Sequence, residues 1–227
     1  MKLAVLLSGG KDSLYATYLA GKENEIACII SMISENPESY MFHVPNVDLV
    51  KKQAEAMGIP ILQKATKGVK EEELKDLEAA IREAEEKYNI MGVVSGAVAS
   101  NYQKQRIDNI CNKVGIKSLA PLWQQDAEEL LREMIKKFRI VITAVGAPPL
   151  DEGWLERSID DNCVDELAEL NKKYGIHILF EGGEGETLVL ECPIFSKRIE
   201  ILDSMKHWDK KTRSGWLEIK EVRLFDI

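Results

Sequence analysis

Long apolar runs are missing from this chain. None approaches the ~20 residues that a membrane-spanning helix needs, so no span is expected. Cysteine is scarce: Cys28, Cys111, Cys163 and Cys192 are the only four, and none falls in a Cys-x-x-Cys pair. No His/Cys group has zinc spacing, and a disulfide framework is not expected in a chain of 227 residues. Cys28 and Cys111 sit in apolar surroundings and read as core thiols. A basic excess is also lacking. Against 38 Asp and Glu there are 30 Lys and Arg, a net charge of −8, which counts against a large RNA or DNA partner. Met-Lys-Leu leads directly into an apolar strand, so no signal peptide is expected and the cytoplasm is the expected location. No internal repeat or low-complexity tract is visible.

What is present is enough for a packed core: 45% of residues are hydrophobic. The length suits one large domain or two small ones. The most informative stretch lies at the start. Leu3 to Leu7 is a short apolar run, followed by Ser8-Gly-Gly-Lys-Asp-Ser13 and then helical spacing at Leu14, Tyr15, Tyr18 and Leu19. Gly9 and Gly10 allow a sharp turn and close backbone approach to a ligand. Asp12 and Ser13 are residues expected at a helix start. The unpaired amides of that first turn favour an anion, most naturally a phosphate. Neither the mononucleotide P-loop spacing nor the dinucleotide Gly-x-Gly-x-x-Gly occurs. The hexapeptide instead resembles the PP-loop of the ATP pyrophosphatases, which cleave ATP between its α- and β-phosphates.

Further strands are expected at Glu25–Ile33, Ile59–Gln63 and Ile90–Gly96. Helices are expected after Asn46, which reads as a cap, and from Val69 to Tyr88, whose dense charges read as a solvated face. Such alternation implies a parallel sheet with right-handed crossovers, and ligands then bind beyond the carboxyl ends of the strands. The loop after Leu7, Met32 and Gly96 are therefore expected to converge on one crevice. Tyr102, Gln103 and Arg106 follow on the next helix, with Arg106 suited to a fork-like contact with phosphate or carboxylate. Near Pro121-Leu-Trp123 the pattern changes. Asp126 reads as a helix cap, Arg139–Val145 as a strand, Cys163–Tyr174 as a helix, and Thr187–Leu190, Lys197–Ser204 and Leu217–Phe225 as strands. The expected fold is α/β: a Rossmann-like parallel sheet over residues 1–122, with a second, smaller α+β domain over 123–227. In that second part, Glu181-Gly-Gly-Glu-Gly-Glu186 gathers glycines and carboxylates before a strand, a pattern suited to constrained backbone and a bound cation.

Together, Ser8–Ser13, Ser39-Tyr-Met-Phe-His43, the Ser100/Tyr102/Gln103/Arg106 set, Pro121-Leu-Trp123 and Glu184-Gly-Glu-Thr-Leu-Val-Leu-Glu-Cys-Pro193 resemble the diphthine–ammonia ligases, or diphthamide synthetases, of the PP-loop ATP pyrophosphatase group. The resemblance implies an adenine-nucleotide α-hydrolase-like fold in its minimal archaeal form; eukaryotic relatives are expected to be longer. It implies the last step of diphthamide formation. Diphthine on translation elongation factor 2 is converted to diphthamide with ATP and ammonium, releasing AMP and pyrophosphate through an acyl-adenylate. Ser8, Gly9, Gly10, Lys11, Asp12, Ser13, Met32 and Gly96 would hold ATP, with Asp12 a ligand of Mg²⁺. Lys11, Asp12 and Arg106 would be catalytic. Tyr102, Gln103, Glu184, Glu186 and Thr187 would bind substrate, with Trp123 or Tyr102 receiving its trimethylammonium group. No cysteine stands in a nucleophile-like setting, so free ammonium is the expected donor. A homodimer is compatible with the sequence. A tRNA-modifying PP-loop ligase and a non-catalytic ATP- or AMP-binding module are the alternatives.

Overall fold

The computed structural model describes residues 1–34, 49–69, 71–146 and 148–227. The chain divides into two compact units, Met1–Trp123 and Gln124–Ile227.

The first unit runs β1 (Lys2–Leu6), α1 (Lys11–Gly21), β2 (Glu25–Ser34), α2 (Val50–Met57), β3 (Ile61–Thr66), α3 (Glu73–Tyr88), β4 (Gly92–Val94), α4 (Asn101–Val114) and β5 (Lys117–Leu119). The strands form a parallel sheet in the order β3-β2-β1-β4-β5. β1 is central and covered on both faces, so its residues read as a continuous apolar run rather than an alternation. Leu3, Ala4 and Val5 are fully buried. On α3, Leu77, Ala80, Ile81 and Ala84 recur with helical period. They pack with Ile107, Ile110 and Cys111 of α4 against Ala4, Cys28, Ile30 and Met32 of the sheet.

Several boundaries differ from the expectation. β3 begins two residues later, because pairing starts at the Pro60 carbonyl, which accepts the Ile29 N–H at 2.8 Å. α3 begins at Glu73 rather than Val69. β4 is only three residues, and β5, not expected at all, completes the sheet. Gly58 ends α2 as expected, at φ 66°. α1 starts at Lys11 as expected, with Gly10, which has no side chain, as its cap and Asp12 in its first turn. Asn46 and the Ser39–His43 stretch lie outside the described residues.

The second unit contains α5 (Ala127–Ile135), β6 (Arg139–Val145), a 3-10 turn at Glu152–Trp154, α6 (Asp161–Tyr174), β7 (Gly185–Glu191), β8 (Lys197–Asp209) and β9 (Ser214–Asp226). Its sheet is antiparallel, in the order β7-β6-β9-β8. Asp126 caps α5 by accepting the Glu129 N–H at 2.9 Å, and Asp160 caps α6 by accepting the Cys163 N–H at 2.8 Å. Such caps contribute about 1 kcal/mol each. β8 and β9 are longer than expected and carry Leu202, Met205 and Trp216 as exposed apolar residues. All four cysteines are buried thiols without disulfides. Burial pushes Cys28 and Cys192 up to about 12, and Cys111 and Cys163 up to about 11. Among the described residues no helix is long and apolar enough to cross a membrane.

Candidate active site

The turn between β1 and α1 lies at the carboxyl end of the central strand. Its hydroxyls close it internally. Ser13 Oγ donates to the Gly10 carbonyl at 3.1 Å, so at the 3.2 Å contact between the two serines Ser8 Oγ is the donor. Gly9 holds φ +90°, a left-handed conformation that strains any residue with a Cβ. The cap of α1 is Gly10, which has no side chain, and the positive end of the helix lies at this turn. Lys11 is 2% exposed, and its Nζ bonds Asp12 Oδ2 at 2.9 Å. Asp12 Oδ1 is buried and has no hydrogen-bond partner among the described residues.

Two neighbours shape this turn from outside. Gly96, just after β4, lies directly against the start of α1. A Cβ there would stand 2.6 Å from Ser13 N and 2.8 Å from the Asp12 carbonyl carbon. From the other direction, the buried carboxamide of Gln53 on α2 donates to the Gly9 carbonyl at 2.9 Å. The sequence reading had no role for Gln53. Its one local signal is a polar residue among Val50, Ala54 and Met57, the helical face that packs inward. Met32 is buried near the end of β2, in the sheet's core cluster. Beside it Ser31, and Ser95 after β4, bury hydroxyls that lack hydrogen-bond partners among the described residues. Ser31 lies one position past the β1 pairing on β2, and Ser95 directly follows β4.

On α4, Ser100 Oγ accepts the Gln103 N–H at 3.3 Å as the helix cap. Arg106 and Tyr102 share a face one turn apart. The guanidinium lies 3.3 Å from the Tyr102 ring centre, donates to the Tyr102 carbonyl at 3.3 Å and bonds the Glu71 carboxylate. These groups edge a groove of about 570 Å³ lined by α3 and α4 residues, including Lys75, Glu78 and Lys113. Trp123 carries the Lys104 ammonium at 5.5 Å. Both aromatic faces therefore already receive a cation, the contact foreseen for the substrate's trimethylammonium group.

In the second unit the acidic turn is tightly built. Glu184 is 9% exposed; its Oε1 accepts the His177 N–H at 2.7 Å and its Oε2 the Gly182 N–H at 2.9 Å. Its carboxylate thus holds the turn's own backbone. Gly146 packs on the same turn: it donates to the Glu184 carbonyl at 2.8 Å, and a Cβ on it would stand 2.4 Å from the Gly183 carbonyl oxygen. Thr187 is buried, and Glu186 is partly buried with Oε2 sealed from solvent. Loss of hydration pushes the Glu186 carboxyl from 4.5 up to about 8. The folded protein therefore keeps this proton where the unfolded chain releases it. That contribution to stability is complete below pH 4.5 and is lost as pH rises toward 8. Glu186→Gln is expected to flatten this decline. Thermal melting against pH should show the variant gaining on the parent steadily to about pH 8; parallel curves would contradict the assignment.

The described residues contain no group of three or more His, Cys, Asp or Glu able to hold a metal. The chemistry on hand is a phosphate-sized turn with amides, a buried ammonium and one carboxylate, plus a separate acidic turn. Known proteins match both. Residues 1–118 match the diphthamide synthase N-terminal domain, and residues 126–225 its C-terminal domain. The diphthine–ammonia ligase of Mus musculus is 35% identical over 227 residues, covering 90% of this chain and 84% of that protein. That of Homo sapiens is 35% identical over 224 residues, with the same coverage of 90% and 84%. The Schizosaccharomyces pombe enzyme is 32% identical over 221 residues, covering 89% of this chain but 36% of its own length. The added length expected of eukaryotic relatives is thus large in the fission yeast protein and small in the mammalian ones. With both domains matched in order and about a third of the residues shared along nine-tenths of its length, the chain belongs to the diphthamide synthase family.

Proposed function

We propose that the protein is an ATP-dependent diphthine–ammonia ligase acting on translation elongation factor 2 in the cytoplasm. The observation carrying this reading is the turn Ser8–Ser13 at the end of the central strand, with Gly10, a residue without a side chain, at the cap of the helix that follows. A carboxylate resists amidation because oxide is a poor leaving group. Attack of the diphthine carboxylate oxygen on the α-phosphorus breaks the bond to the β-phosphate and releases pyrophosphate. Ammonia, formed when ammonium gives up a proton, then attacks the acyl carbon, and AMP departs as the amide forms.

Ser8, Gly9, Gly10 and Ser13 cradle the outer phosphates, and Lys11 offsets charge on the departing pyrophosphate. Met32 and Gly96 border the nucleoside side. Asp12 Oδ1, a buried oxygen without a hydrogen-bond partner among the described residues, fits one ligand position of Mg²⁺, an ion held by one or two carboxylates, phosphate oxygens and water. Bound there, the ion would neutralise phosphate charge. Arg106 exchanges Glu71 for the anionic reacting group. Tyr102 and Gln103 contact the substrate, as do Glu186 and Thr187, while Glu184 keeps the acidic turn in shape.

The test is incubation with ATP, ammonium and a diphthine-bearing elongation factor 2. Expected are AMP and pyrophosphate, with the factor's mass falling by the difference between OH and NH₂. Ammonium, not glutamine, should support the reaction. Products of ADP and orthophosphate, or an unaltered factor, would refute the reading.

A further inference from the structure

We propose that Gln53 is a positioning residue for ATP, aiming the Gly10 amide at the phosphate chain; this rests on the function proposed above. The side chain is fully buried, and its Nε2 reaches across 44 positions of sequence to the Gly9 carbonyl. A trans peptide is planar, so the Gly9 C=O and the Gly10 N–H point in opposite directions. Fixing one fixes the other. The Gly10 N–H meets only Ser8 Oγ among the described residues, at 3.4 Å, a long bond that a phosphate oxygen would readily replace.

Contact reinforces the hydrogen bond. A Cβ on Gly9 would lie 3.0 Å from Gln53 Oε1 and 3.3 Å from Val50 Cγ2, so α2 presses directly on the turn. Two adjacent glycines are the least restricted pair a backbone can contain, and ordering them at the moment of binding would weaken affinity. Gln53 orders them beforehand. It also ties the turn to α2.

Equilibrium ATP binding and thermal melting of Gln53→Leu and Gln53→Glu test this. Gln53→Leu keeps the bulk and removes the donor. Its ATP affinity is expected to fall about 10- to 100-fold. Gln53→Glu is isosteric, but an ionised carboxylate cannot donate to the Gly9 carbonyl. As pH falls from about 8 to about 5.5, the introduced carboxyl gains a proton and regains the donor, so its affinity should climb relative to Gln53→Leu. Taking the ratio at each pH cancels whatever both variants share, including the protonation of ATP itself. A role confined to packing would leave Gln53→Leu, which keeps the bulk, binding ATP as the parent does. A flat ratio overturns the proposal, as does either variant binding ATP within about threefold of the parent. If Gln53→Leu does not fold, Gln53→Met serves as the donor-free reference. A parent protein that fails to bind ATP would instead defeat the proposed function, independently of Gln53.

Discussion

Asp12→Ala abolishes pyrophosphate release, and Asp12→Asn lowers it by about 100-fold or more. Two separate losses are combined in the alanine variant. Oδ2 disappears from the Lys11 ammonium, which is 2% exposed and 2.9 Å away, and Oδ1 disappears from the position suited to a cation. Taking one partner from a largely buried charge pair destabilises by an amount on the order of a few kcal/mol. The asparagine variant separates the effects. It keeps the shape and one oxygen toward Lys11 but not the charge, so melting should fall less than in the alanine variant while turnover collapses. Pyrophosphate release, ATP affinity and melting temperature, measured together, check this. Turnover within about tenfold of the parent in Asp12→Asn would remove Asp12 from the reaction.

Gly96→Ala is expected to weaken ATP binding more than about tenfold while costing about 1–3 kcal/mol of stability. The added methyl would fall 2.6 Å from Ser13 N and 2.8 Å from Ser13 Cα, so the backbone at the start of α1 must move. That backbone is half of the phosphate cradle. Gly92→Ala is the matched control on β4. Its Cβ would meet Leu119 Cδ1, Leu3 Cδ2 and the Lys117 carbonyl oxygen at 3.0 Å, away from the phosphate turn. It should destabilise similarly and leave nucleotide affinity intact. Equal affinity losses in the two variants would mean that Gly96 matters only for packing.

The phosphate turn was legible because its signal is contiguous: a run of apolar residues, two glycines and a helix period between Leu3 and Leu19. Arg139–Val145 was legible for a similar reason, as a β-branched run that starts at Arg139 and stops at a Gly-Ala-Pro-Pro break. β5 was not. Its three residues, Lys117, Ser118 and Leu119, carry no period, and the sheet edge forms through pairing with β4. The start of α1 was legible from Asp12 and Ser13, but their partners were not: one pairs with Lys11 and the other folds back on Gly10. Glu184 looked like a ligand group by composition, but backbone amides engage both its oxygens, a fact visible only once the turn is folded. Gln53 shows the limit most clearly. Its partner lies 44 residues away, and no local pattern encodes that meeting.

The four buried thiols carry a practical consequence. Alkylating reagents need an accessible thiolate, and burial withholds both accessibility and ionisation from every native cysteine. A cysteine introduced at an exposed position such as Glu23 or Lys210 would then take a maleimide dye alone. With one dye in each unit, energy transfer would report whether nucleotide brings the two halves of the chain together.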